Sequence, residues 1–194
     1  MAILGQRTRH VWERWCIALL ALVTWTVCVD QASAQVVSRE NELKAVLLYN
    51  LTQFVEWPGA AFATNNSPLV IGILGEDTLG RLLDDAVRNE KYNNRSIVVR
   101  RCQTVGEAMF CQILFVSPSE NARLPEILPQ LKGHAILTVA ESDGFIRAGG
   151  MVRFVKSPQN KIRLQINAEA AKSAELSVSG KLLRVADVVH PAQD

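Results

Sequence analysis

The sequence predicts an α/β fold: a three-layer sandwich on a mostly parallel sheet, with an antiparallel hairpin at one edge. Two patterns point there. From residue 69 to residue 139, short apolar runs alternate with amphipathic segments, the strand, helix, strand order that lays helices against both faces of a parallel sheet. From 151 to 166, two segments that alternate apolar with polar flank Ser157-Pro158-Gln159-Asn160, a hairpin-length turn.

Residues 1–34 stand outside that pattern. Arg7, Arg9 and Arg14 make a basic start, Trp15 to Val29 an apolar run, and Ala32-Ser33-Ala34 a small-residue cleavage site, the three parts of a secretory signal peptide. An uncleaved anchor is the weaker reading, because the run is shorter than the roughly 20 residues that cross a bilayer. Cleavage is expected between Ala34 and Gln35. It leaves 160 of the 194 residues, 35–194, as a single exported domain large enough for one proper core. Taking Arg7, Arg9, Arg14, Glu13 and Asp30 from 21 basic and 19 acidic residues leaves 18 and 17. A nearly neutral chain of this kind gives no reason to expect nucleic acid or an anionic membrane surface as partner.

The mature chain opens on a helix expected to run through Lys44-Ala-Val-Leu-Leu-Tyr-Asn-Leu-Thr-Gln-Phe-Val-Glu-Trp-Pro58. Leu43, Val46, Leu47, Leu51, Phe54 and Val55 form its stripe, Lys44, Gln53 and Glu56 lie off it, and Pro58 stops it. Leu69 to Leu74 is a run suited to a strand buried on both faces. Asp77 or Thr78 can cap a helix whose stripe is Leu79, Leu82, Leu83, Ala86 and Val87. Asn93-Asn94 is a turn, Ile97 to Arg101 a strand, Thr104 to Met109 a turn or two of helix, and Gln112 to Val116 a strand. A helix around Asn121 to Leu131, interrupted by Pro125 and Pro129, leads to a strand at Ala135 to Val139. Met151 to Lys156 and Lys161 to Ile166 form the hairpin, and short helices at Ala168 to Ala174 and Ser179 to Val185 close the chain. The whole is a Rossmann-like arrangement.

Catalytic machinery is absent from these patterns. Gly72-Ile-Leu-Gly75-Glu-Asp-Thr-Leu-Gly80 follows a strand and opens a helix, but the spacing is not that of the dinucleotide fingerprint, and Glu76 and Asp77 would put negative charge where a phosphate must sit. His134 and His190, the histidines beyond the leader, have no acid partner or metal-ligand spacing. No G-x-S-x-G elbow occurs, and Asp84-Asp85 reads as a solvated helix face. No enzyme, cofactor or metal site is expected. Cys102 and Cys111, the two cysteines beyond the leader, are either a disulfide in an oxidising compartment or two buried thiols.

The opening helix Lys44 to Pro58 resembles the first motif of the YfiR family of periplasmic regulators. Ile73 to Gly80, Cys111 to Ser117, and Gly149 to Val155 leading to Ile166-Asn167 and Ser179 to Arg184 agree with it in order. The resemblance implies a non-catalytic inhibitor that binds the periplasmic sensor domain of the inner-membrane diguanylate cyclase YfiN and represses it. That lowers cyclic di-GMP and biofilm formation until a YfiB-like outer-membrane lipoprotein sequesters the inhibitor. A homodimer is compatible with this reading. Relatives can carry two disulfides, and many have a cysteine on the first strand where this chain has Gly72.

Tyr49, Trp57 and Pro58 fit two roles equally, an aromatic anchor over the sheet or partner contact. Leu182 and Leu183 are adjacent and cannot share one narrow stripe, so at least one is expected in an exposed apolar patch, rimmed by Lys181 and Arg184. The alternative function is small-molecule binding or sensing in the crevice at the carboxyl ends of the parallel strands, near Gly75, Asp77 and Ser117.

Overall fold

A computed structural model describes residues 39–157 and 161–190. The expected leader with its expected cleavage site, and residues 158–160 of the expected hairpin turn, lie outside the described residues. The described residues from Asn41 onward cluster as one compact unit.

The chain enters through helix α1 (39–51) and strand β1 (Val55–Glu56), then alternates through β2 (Leu69–Leu74), α2 (Arg81–Val87), β3 (Lys91–Tyr92), β4 (Arg95–Cys102), α3 (Val105–Ala108), β5 (Ile113–Val116), α4 (Leu124–Leu131) and β6 (Leu137–Ala140). It closes with β7 (Val152–Lys156), β8 (Ile162–Ile166), α5 (Ala168–Ser173), β9 (Ser177–Val178), α6 (Gly180–Val185) and β10 (Asp187–Val188). The main sheet has the order β10-β8-β7-β6-β5-β2-β4-β3. Its centre is parallel, β7 and β8 form the antiparallel hairpin, and β3 pairs antiparallel with β4 at the opposite edge. This is the expected Rossmann-like α/β sandwich, with a short unexpected strand added at each edge of the main sheet: β10 pairs parallel with β8, so the hairpin is flanked by a further strand, and β3 extends the far edge beside β4.

The apolar runs explain the two cores. In β2, Leu69, Ile71 and Ile73 face the layer of α1, α2, α5 and α6, while Val70 and Leu74 face α3 and α4. Every residue of β2 is buried, as a strand covered on both faces requires. Leu124, Ile127, Leu128 and Leu131 of α4 sit in the second core at helical spacing. A 3-10 segment (Pro118–Arg123) precedes α4, so Pro125 falls in its first turn, where the missing N–H costs nothing. Pro129 is accommodated within the helix rather than ending it. Asn93 and Asn94, both at positive φ, make the two-residue connection between β3 and β4.

The first helix departs from expectation in two ways. It ends at residue 51, seven residues before Pro58. Thr52, Gln53 and Phe54 donate to carbonyls three residues back, tightening the exit, and Phe54 and Val55 are then captured by another strand. The Phe54 carbonyl accepts from the Ser179 N–H (2.8 Å) and Val55 pairs with Val178, so a β1–β9 ribbon outcompetes continuation of the helix. The helix is also rotated. Its buried face is Ala45, Leu48, Leu51 and Thr52 together with Lys44, whose ammonium pairs with Glu141 at 2.6 Å, whereas Leu43 and Val46 are 42% and 40% exposed. Apolar residues populate nearly the whole circumference of this helix, so spacing alone did not select the face.

Candidate functional site

The β1–β9 ribbon joins the two segments singled out in the sequence, because Trp57 and Pro58 follow β1 and Lys181 to Arg184 follow β9. Trp57 is 8% exposed. Its indole N–H donates to the Gln112 carbonyl (3.0 Å) and its ring meets Tyr92 edge-on with centroids 5.5 Å apart. Gln112 is a buried junction. Its side chain accepts from the Val70 N–H (2.8 Å) and donates to the Ala61 carbonyl (2.7 Å), tying the 3-10 turn (Gly59–Ala61) to the sheet. Tyr49 is half-buried, and its hydroxyl donates to the Glu90 carboxylate (2.7 Å), which pushes the phenol's pKa above its ordinary value. Pro58 is half-buried on the rim of a cleft of about 280 Å³ that Gln112, His134 and Glu175 also line. Glu175 holds a left-handed backbone (φ 59) just past α5, a place glycine normally takes.

In α6 the Ser179 hydroxyl accepts from the Lys181 N–H (3.3 Å) and sets the helix's rotation. Leu182 is 4% exposed and belongs to the core with α1 and α2. Leu183 is half-buried beside a shallow groove that Lys172, Leu176 and Val178 also line. Lys181 and Arg184 are exposed, and Val185 is 81% exposed. Trp57 and Leu182, expected among the contact residues, therefore lie in the interior, since the ribbon and its cap aim both inward. Tyr49, Pro58, Lys181, Leu183 and Arg184 are reachable from solvent. Sequence reasoning missed Val185 and the outer face of α1, Leu43 and Val46; a helical wheel registered on Leu48 and Leu51 would have found the latter.

The crevice at the carboxyl ends of the strands is occupied by the protein itself. A side chain at Gly75 would meet Ser119 and Glu120. Asp77 accepts from the N–H groups of Leu79 and Gly80 and pairs with Arg101, which also grips Asp84. Arg101 holds the Asp84 carboxyl below its ordinary pKa. Ser117 is fully buried and its hydroxyl has no hydrogen-bond partner.

Cys102 and Cys111 are both 2% exposed, with their sulfurs 3.9 Å apart. Burial raises both thiol pKa values, Cys111 to about 12. His134 is exposed, and His190 Nδ1 lies 3.5 Å from a Glu169 carboxylate oxygen. Among the described residues no group of three His, Cys, Asp or Glu side chains could hold a metal ion, and no helix is long and apolar enough to cross a membrane.

No curated protein matches the chain. Among solved structures it is similar to an ABC domain in complex with L-Trp, described as from Streptococcus pneumonia. The identity is 10% and the TM-score 0.45, with 67% of this chain and 57% of that one covered. The chain thus spans little more than half the length of that structure. A protein-family profile described as YfiR/HmsC-like matches residues 41–187, from the first turn of α1 into β10. That match covers most of the sequence and nearly every element of the sandwich, and this chain belongs to the YfiR/HmsC-like family.

Proposed function

We propose that this chain is a periplasmic, non-catalytic regulator that binds the periplasmic sensor domain of a YfiN-like inner-membrane diguanylate cyclase and holds it inactive, lowering cyclic di-GMP. The observation that carries this reading is the family match over 41–187. An outer-membrane lipoprotein of the YfiB type is the natural antagonist, competing for the same regulator. Contact falls on the solvent-reachable residues that follow the two strands of the β1–β9 ribbon, Pro58, Lys181, Leu183 and Arg184, and on Tyr49 of α1. Trp57 and Leu182 support them from beneath. Half-buried apolar groups rimmed by cations have the composition of a small recognition patch.

The ligand-binding alternative is less well supported at the strand ends, where Asp77 is already committed to the protein's own groups. Deleting the gene in a strain that expresses the cognate cyclase is expected to raise cyclic di-GMP, and exporting the mature domain to restore the low level. Unchanged cyclic di-GMP with the cyclase demonstrably present overturns the proposal.

A further inference from the structure

The sulfur pair Cys102–Cys111 sits at the two ends of a loop whose conformation is held independently of any bond between them. Thr104 caps α3 by accepting from the Glu107 N–H (3.3 Å), and the Glu107 carboxylate accepts from the Gln103 N–H (2.9 Å). The arrangement is a capping box displaced by one residue, the carboxylate reaching the N–H just before the cap instead of that of Thr104 itself, and it ties the entry of α3 locally. The loop therefore returns the chain to the sheet with its ends side by side, Cys102 closing β4 and Cys111 preceding β5.

Gly72 makes room for that approach. A Cβ built at residue 72 would lie 2.6 Å from the Cys111 sulfur, inside any permissible contact, so the sulfur occupies the space that any other residue's side chain would need. Between the two cysteines the loop displays Phe110, 69% exposed, immediately before Cys111. Aromatic residues, phenylalanine among them, are enriched at interfaces, so Phe110 is the side chain of this loop best suited to contact another surface.

We propose that Cys102 and Cys111 are joined as a disulfide that pins the 102–111 loop and its exposed Phe110. The bond forms by exchange with the disulfide of a thiol oxidase. One cysteine of the pair, as thiolate, attacks an oxidase sulfur and releases the oxidase's other sulfur as thiolate. The second cysteine, also deprotonated, then attacks the resulting mixed disulfide, leaving the protein oxidised by two electrons and the oxidase reduced to its dithiol. The sulfurs need close only from 3.9 Å to the ~2.05 Å of a disulfide, within reach of side-chain rotation. Because both are buried, oxidation belongs to folding or to transient opening of the loop, and the finished bond resists reductants.

The test is peptide mapping of the exported protein, alkylated in denaturant at harvest and digested without reductant. A linked species containing Cys102 and Cys111, with neither alkylated, is the expected result. Two alkylated thiols, or linkage seen only after added peroxide, overturns the proposal. Reduction should also lower the melting temperature of the wild type by roughly 5 °C and leave Cys102→Ser unchanged. An equal shift in both would show that reduction acts elsewhere and sinks the loop-pinning claim. Gly72→Ala, which crowds the Cys111 sulfur, should reduce the linked fraction in protein that still folds; an undiminished fraction removes Gly72 from the account.

Discussion

Leu182 and Leu183 show how adjacent, chemically identical residues diverge. On a helix two neighbours point about 100° apart, so only one can lie squarely over the core. The Ser179 cap fixes which. Leu182 is 4% exposed, and a charge there would have to be buried without a partner, so Leu182→Asp is expected to cost about 3–5 kcal/mol, read from chemical denaturation. Leu183→Asp, at a half-buried position on the edge of the core, should cost less, about 1–2 kcal/mol, and abolish repression in cells at unchanged protein level. Loss of repression only where stability is lost would place the contact elsewhere. Trp57 allows a similar argument. Trp57→Phe removes the indole donor, but the Gln112 carbonyl also accepts from the Leu137 N–H (2.8 Å), so no acceptor is orphaned. Its cost is expected near the ~1 kcal/mol of a single net hydrogen bond plus the lost ring volume. The exposure of these residues was not legible in the sequence, because it depends on a pairing between segments more than a hundred residues apart.

At the scale of elements, what the sequence made legible was what local pattern determines. Leu69–Leu74 coincides with the apolar run that predicted it, and Thr104, Asn167 and Ser179 each accept a backbone N–H at a helix start, as their residue types suggest. Errors arose where a distant element competed. The first helix surrenders Phe54 and Val55 to β9, and Asp77 caps the turn before α2 rather than the helix itself. Asp77 and Asp84 instead hold Arg101, fastening α2 to the end of β4. That fastening is pH-dependent with a definite sign. Arg101, chiefly by hydrogen bonding, lowers the Asp84 pKa in the folded state, so the stabilisation is complete above the ordinary carboxylate range and is lost as pH falls through the folded-state value. Melting temperature measured from neutral to acid pH should fall less steeply for Asp84→Asn than for the wild type. Parallel acid limbs would mean that the pair is too solvated to matter.

Across the whole molecule, the alternation of strands and helices announced the sandwich, but not the order β10-β8-β7-β6-β5-β2-β4-β3. Strand order is a property of crossovers, and β10 in particular joins the sheet through two residues with no strand signal of their own. The family resemblance was legible because its segments follow one another in order along the chain, and several of their residues, Leu48, Ile73, Phe115 and Val152 among them, are buried in the cores. Export is the remaining whole-molecule question, and the proposed regulation and the disulfide both depend on it. Arg7, Arg9 and Arg14, the Trp15 to Val29 run and Ala32-Ser33-Ala34 have the composition expected of a leader, chemically unlike the nearly neutral sequence after it. Intact mass of protein from a periplasmic extract is therefore expected to begin at Gln35, either free or cyclised, and to lack Cys16 and Cys28. Loss of those cysteines would leave Cys102 and Cys111 with no competing thiol in the same chain. Recovery of the full-length chain from the cytoplasm would refute processing. It would also remove the compartment in which contact with a cyclase sensor domain and oxidation of the thiol pair are both feasible.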